Sequence, residues 1–279
     1  MDNELSVPGS ESVPMNGRDL AVRILEHPEG GVAGLLRLKG HLNLGNETVW
    51  LEFKASLNPK DGRYEPRENK DDYRWNVAEA VIAMANTVGG VVLLGLDDRA
   101  QVVGLAVSDS RETIQKKGYE AFNREVVQSA LLCQGWQTGR KGNLYLSHSC
   151  KSQFRHLFEI RTVNYQNQPI VAILVSPTHD DELLDIEEEL NNRKRNIVYV
   201  RQLGDVGQNH QLQGYREVDD YKRSRRLGLS EQTYNNLWQK FLSENSLRQS
   251  KENSTALLRC KNITLKINML SYSHAAIVR

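Results

Sequence analysis

The sequence predicts a soluble globular fold that mixes helices and strands, and three observations predict it. Apolar residues recur at helical spacing in separated stretches, short alternating or continuous apolar runs lie between them, and glycine, proline and asparagine punctuate the boundaries. At ~150 residues per domain, 279 residues read as one large domain or one with appendages. With 39% hydrophobic and 25% charged residues, and no apolar run near the ~20 residues of a bilayer helix, the expectation is a chain without a membrane anchor.

The elements follow in order. Residues 1–16 place Asp2, Glu4 and Glu11 among serine, proline and glycine. They lack the basic start and apolar centre of a secretory signal and read as a disordered leader. Over 18–26, Leu20, Ala21, Ile24 and Leu25 keep helical spacing until Pro28, Gly30 and Gly31 end it. Leu35, Leu36 and Leu38 suggest a second brief helical or irregular piece, and Asn43, Gly45 and Asn46 mark a turn. The period then becomes two. In 49–54, Val49, Leu51 and Phe53 alternate with Trp50, Glu52 and Lys54, so a strand buries the first set and displays Glu52 and Lys54 on its other face. Residues 58–72, with Pro59, Gly62, Pro66 and many charges, read as a long surface loop.

Asp71 or Asp72 should cap the next helix, whose inward stripe is Val77, Ala80, Val81, Met84, Ala85 and Val88 and whose stop is Gly89 and Gly90. A buried strand over 91–96, a turn at Asp97 and Asp98, and a hairpin partner over 101–105 come next. Helical spacing resumes over 119–132 through Phe122, Val126, Val127 and Leu131. Residues 144–146, 154–162, 169–175 and 196–201 read as strands, and the acidic segment after Pro177 as a loop or short helix. An amphipathic helix over 232–241 uses Leu237, Trp238 and Phe241, with no core contribution evident beyond Glu244.

Charge narrows the function. Lys plus Arg at 36 against Asp plus Glu at 35 leaves +1, so any nucleic-acid site must be a local patch. Charges do segregate: residues 180–189 are acidic, Arg193, Lys194, Arg195 and Arg201 follow, and Lys222, Arg223, Arg225 and Arg226 form a second cluster. Cys133, Cys150 and Cys260 are an odd, scattered set without CxxC spacing, which argues against a zinc site or disulfide framework and suits a reducing cytoplasm. The common nucleotide and hydrolase signatures are absent, and His148 and His156 stand too far apart to share a helix face.

Three carboxylates carry the remaining chemistry. Glu47 and Glu52, five apart, converge only if the chain bends near residues 46–48. With Asp98 at the end of an adjacent strand, three hard oxygen donors would suit magnesium or manganese, and Lys54 could balance charge or touch phosphate. In the structural alternative Glu47 caps a turn, Glu52 pairs with Lys54 or an arginine, and Asp97 and Asp98 make the hairpin turn. The segment 86–90 likewise reads as a helix cap, or as bare backbone amides approaching phosphate.

Read together, Glu47 with Glu52-Phe53-Lys54, then Ala83-Met84-Ala85-Asn86-Thr87-Val88-Gly89-Gly90, then Leu94-Gly95-Leu96-Asp97-Asp98 with Val103-Gly104, resemble the Schlafen AlbA-type domain. Residues 197–204, from Ile197 through Tyr199 and Arg201 to Gly204, resemble that family's closing Y-x-R-x-G strand, with the glycine one position late. The resemblance covers roughly residues 45–204 and implies an α+β fold, a mixed or antiparallel sheet packed by helices. It frames 17–228 as the Schlafen AlbA-type domain with an N-terminal helical extension, and 229–279 as a helical extension and tail.

In the RNA-cleaving animal members a Glu, Glu, Asp trio is the nuclease site, and the matching positions are Glu47, Glu52 and Asp98. The resemblance therefore implies a metal-dependent endoribonuclease acting on structured RNA, with Mg or Mn held by those three residues. It implies contact with RNA or DNA through Lys54, Arg195 and Arg201. Two such units clamp an RNA helix in the family, so a homodimer is expected. The sequence departs from the family in its long loop 58–72, in Met84 at a usual Phe position, in lacking cysteines equivalent to the animal zinc ligands, and in having no helicase or winged-helix region downstream. The alternative of a different class is a non-catalytic DNA-binding transcriptional regulator or interaction module whose carboxylates only stabilise the fold.

Overall fold

Local chemistry sets the elements of the described residues, which are 16–38, 48–55, 57, 73–105, 108–138, 142–179, 182–201, 209–226, 235–248 and 251 of a computed structural model. In chain order these are α1 (Gly17–Glu26), α2 (Gly31–Leu38), β1 (Leu51–Lys54), α3 (Tyr73–Ala85), β2 (Gly90–Leu94), α4 (Ser108–Phe122), a π-helical stretch (Asn123–Gln128), α5 (Ser129–Leu131), β3 (Trp136–Thr138) and β4 (Gly142–Leu146). Then come α6 (His148–Phe154), β5 (Phe158–Tyr165), β6 (Gln168–Val175), β7 (Asp185–Leu190), β8 (Arg193–Arg201), β9 (Asn209–Leu212) and α7 (Gly214–Arg226). Glu47, the loop 58–72 with its Asp71 or Asp72 cap, residues 202–208 and the segment after 251 lie outside the described residues, as does the leader up to residue 15.

The Asn16 side chain accepts from the Asp19 N–H at 2.9 Å, which satisfies a donor of the first turn and starts α1. The helix buries Leu20, Ala21 and Ile24, as its spacing predicts, and α2 buries Val32, Leu35, Leu36 and Leu38. Strands β1 and β2 pair in parallel, which demands a crossover, and α3 is that crossover. The first sheet runs β1-β2-β6-β5, with antiparallel pairing after β2, and the second runs β3-β4-β7-β8-β9, antiparallel throughout. This is an α+β architecture with one mixed and one antiparallel sheet.

Helix α3 touches strands of both sheets, whereas α1 and α2 touch β2, β6 and β5. Its position explains its burial. A one-sided stripe was the expectation, yet Ala78, Ile82 and Ala83 are buried along with Val77, Val81 and Met84. A helix between two sheets has little solvent face, so it is apolar around most of its circumference. Gly89 ends it with φ +68°, and a Cβ there would fall 2.5 Å from the Val175 carbonyl oxygen.

Several expectations are corrected. The acidic segment is neither loop nor helix over Asp185–Leu190 but strand β7, because β8 lies beside it and sets Glu188 opposite Arg195 and Glu189 opposite Lys194. Opposite charges across a ladder favour that pairing. Asn191 and Asn192, at φ +51° and +62°, make the two-residue turn between them. Residues 101–105 form only a single bridge, Leu96 with Val102, since β6 occupies the free side of β2. The strand expected from 154 begins at Phe158, because Phe154 closes α6. The helical spacing over 119–132 includes the π-helical stretch.

The described residues up to Asn236 form one unit and those from Leu237 on another. In the second, the described residues 237–248 are helical, and Trp238 stacks on Phe241 with centroids 5.4 Å apart.

Candidate functional site

Glu52 sits in β1 with Val92 of β2 as its register partner, so it shares the sheet face on which Val92 packs into the α3 core. Alternation along β1 therefore displays Glu52 not to water but into the space beneath α3 and β8. It is 2% exposed, which corrects the expectation of a displayed carboxylate. A buried carboxylate needs partners, and it has two cations. Arg201 Nη1 donates to Oε2, and Lys54 Nζ, two residues along the same strand, donates to Oε1.

Arg201 enters from the end of β8 and is 1% exposed. Its Nη1 also donates to Asn209 Oδ1 at 3.0 Å and its Nη2 to the Thr48 carbonyl at 2.7 Å, so the guanidinium joins β1, β8 and β9. Asn209 Nδ2 passes the contact to Glu79 Oε1 of α3 at 3.3 Å. The Arg201 backbone N–H donates to Thr87 Oγ1 at 2.8 Å, and Thr87 Oγ1 donates to the Ala83 carbonyl at 2.7 Å. Arg201 is thus an internal brace; a guanidinium this buried does not reach a phosphate.

Next to it, Asn86 ties the turn after α3 to the second sheet. Its Nδ2 donates to the carbonyls of Leu184 and Tyr199 at 2.8 and 2.9 Å, and its Oδ1 accepts from the Leu184 N–H at 2.7 Å. Tyr221 of α7 donates its hydroxyl to the Asn86 carbonyl at 3.1 Å. The segment 86–90 is therefore a cap and a cross-brace, and its polar groups are spent inside the fold.

The other sequence-derived candidates lie elsewhere. Glu47 falls outside the described residues. Asp98 is exposed in the turn after β2, where the Asp97 side chain accepts from the N–H groups of Arg99 and Gln101 at 2.9 and 2.8 Å. Among the described residues no three His, Cys, Asp or Glu side chains converge as a metal site. The described donors do not fit a divalent ion: Glu52 is buried between two cations, which repel a third, and no second carboxylate among the described residues joins it. Arg195 is exposed and its Nε donates to Glu188, a hydrogen bond that raises the Arg195 pKa further. Beside it on β8, Arg193 and Lys194 are also exposed, so a run of three cations follows the β7–β8 turn.

Sequence reasoning missed Thr87, Asn209 and Tyr221 as parts of the polar network. One signal was available. Glu52 interrupts the apolar run of Trp50, Leu51 and Phe53, and Arg201 ends that of Ile197 to Val200, so each is a lone charge in an otherwise buried strand. Two such charges of opposite sign are natural partners.

A family model described as Schlafen, AlbA_2 matches residues 47–208. No curated protein and no solved structure matches the chain. No helix among the described residues is long and apolar enough to cross a membrane.

Proposed function

The chain belongs to the Schlafen AlbA_2 family, and from that membership and the Glu52 network we propose a nucleic-acid-binding protein that holds its ligand without cleaving it. The family suggests nucleic acid as the ligand. The observation that carries the non-catalytic reading is the neutralisation of Glu52: with Arg201 on one oxygen and Lys54 on the other, it is a structural acid. A carboxylate that activates water or holds a metal faces the substrate, whereas Glu52 is 2% exposed and clamped between two cations.

Contact with phosphate is assigned to the exposed run Arg193, Lys194 and Arg195 at the start of β8, of which the resemblance pointed only to Arg195. Glu188 and Glu189 face Arg195 and Lys194 across the ladder, so the contact rests on exposed cationic groups and not on a net positive field. Cys150, a buried thiol in no disulfide among the described residues, supports a reducing compartment such as the cytoplasm. The homodimer that the resemblance implies has no support among the described residues and is not part of the proposal.

Two measurements on the purified chain test this reading. Incubated with manganese and a structured RNA, it should leave the RNA intact. Cleavage that Glu52→Gln or Asp98→Asn abolishes would restore the endoribonuclease. In a titration with the same RNA, Lys194→Glu together with Arg195→Glu should weaken binding and flatten its dependence on salt by about one unit of slope per lost phosphate contact. An unchanged affinity and slope would remove the hairpin as the contact surface.

A further inference from the structure

Resting on the nucleic-acid reading, we infer that the cleft between α7 and the second sheet is a pocket for one unpaired guanine base of a single-stranded polynucleotide. The cleft has a volume of about 500 Å³, within the ~300–1,000 Å³ of ordinary ligand pockets. Its two walls differ in kind. The helix wall presents Tyr215, Val218 and Lys222, which lie on one stripe of α7, and the sheet wall presents Asp185, Asn196 and Val198.

Each group matches a part of a nucleotide. Tyr215 is 92% exposed, a large aromatic ring left in water beside an apolar slot. Such a ring is a platform on which a base stacks. Lys222 has no ion-pair partner among the described residues, so its ammonium can meet a phosphate as the base enters.

Selectivity comes from the sheet wall. Asp185 Oδ1 accepts from Ser147 Oγ at 2.8 Å and from the Cys150 thiol at 3.1 Å, and its Oδ2 accepts from Asn196 Nδ2 at 2.9 Å. Burial pushes the Cys150 thiol pKa up, so the group stays a protonated donor that helps hold the carboxylate in place. A carboxylate oxygen has two lone pairs. Oδ2 therefore keeps one free, and Asn196 Oδ1 beside it has no donor among the described residues. Two neighbouring acceptors call for two neighbouring donors, and guanine carries them on its Watson–Crick edge as N1–H and the N2 amino group. The fixed carboxylate also repels phosphate, which favours the base inward and the backbone outward.

The test uses the full chain and fluorescence anisotropy with labelled RNA single strands, one rich in guanosine and one with every guanosine replaced by adenosine. Wild type should prefer the guanosine strand. Tyr215→Ala and Asn196→Ala should each weaken that strand about tenfold, in the range of one lost stacked base, and Asn196→Ala should leave the adenosine strand nearly unchanged. Tyr215 is so exposed that its loss leaves the fold alone. Equal affinities for both strands, or variants that bind like wild type, would overturn the pocket. If the strands bind with a salt dependence that Lys194→Glu with Arg195→Glu reduces, the nucleic-acid reading survives that failure. Absence of binding to either strand would overturn both readings. Unlinked GMP competes in a separate arm. It should bind far more weakly than the strand, and equal binding would assign the pocket to a free nucleotide instead.

Discussion

At the scale of single residues, the fold turns on charges that have no water. Glu52 and Arg201 are both buried, so each depends on the other for the interaction that water would have provided. Removing Glu52 leaves Arg201 without its counter-charge, whereas removing Arg201 leaves Glu52 with Lys54 as its remaining cation. Arg201→Met is expected to cost about 3 kcal/mol, whereas Arg201→Met combined with Glu52→Leu should recover part of the loss, because the charge then left without its partner is Lys54, whose side chain is 25% exposed and reaches water. Urea unfolding of the two variants measures the difference. A double variant as unstable as the single one would mean that the bonds from Arg201 to Thr48 and Asn209, rather than its charge partner, hold the site. Glu188 shows the same economy. Although 2% exposed, it keeps one oxygen on Arg195, and its Oε1 is buried without a hydrogen-bond partner among the described residues.

At the scale of elements, ion pairs at the surface fasten α1 to β5. Arg18 reaches Glu159 at 2.9 Å, and Arg161 reaches both Glu159, at 2.6 Å, and Glu26, at 2.8 Å. Arg161 first, and then Arg18, hold the Glu159 carboxyl below its ordinary value of 4.5. A depressed carboxylate pKa contributes stability that is present above the ordinary value and lost as pH falls through the lowered one. The groups are partly exposed, so the contribution is small and screened by salt. Wild type should therefore exceed Glu159→Gln in stability near pH 6, and the gap should close as the solution is acidified below 4.5. Thermal melts across that range at low ionic strength read it out, and a gap independent of pH would mean that packing, not charge, fastens the helix. The hairpin of β7 and β8 makes a related point. Its acidic run was legible as a solvated segment, but its strand geometry depended on a basic partner that follows in the sequence.

For the molecule as a whole, near-neutral net charge means that binding depends on where the cations sit rather than on how many there are. Because the contact surface assigned here needs no metal, a chelator should leave RNA affinity unchanged, while raising salt should weaken it steeply. Filter binding with and without EDTA, across a salt series, checks both. Loss of binding with EDTA would point to a metal bridge.

Much of the fold was legible because its signals are local. The spacing of Leu20, Ala21 and Ile24, the alternation in 49–54 and the glycines after α3 each reflect short-range geometry, and the ordered blocks around Glu52, Asn86 and Asp97 were enough to suggest the family. The candidate site was less legible. A period of two tells which residues share a face, and it placed Glu52 and Lys54 together, but it is silent on what covers that face. Only the packing of α3 and β8 over β1 decided that Glu52 is inside, and only the convergence of Asn209, Thr48 and Arg201 decided what it meets there.

By itself, then, the sequence determined the family, the mixture of helices and strands, and which residues are candidates for chemistry, since these follow from neighbours along the chain. The tertiary structure decided whether those candidates face solvent or each other. The reason is physical: the fate of a charge depends on its dielectric surroundings and nearest counter-charge, and for Glu52 the counter-charge at Arg201 stands 149 residues away along the chain.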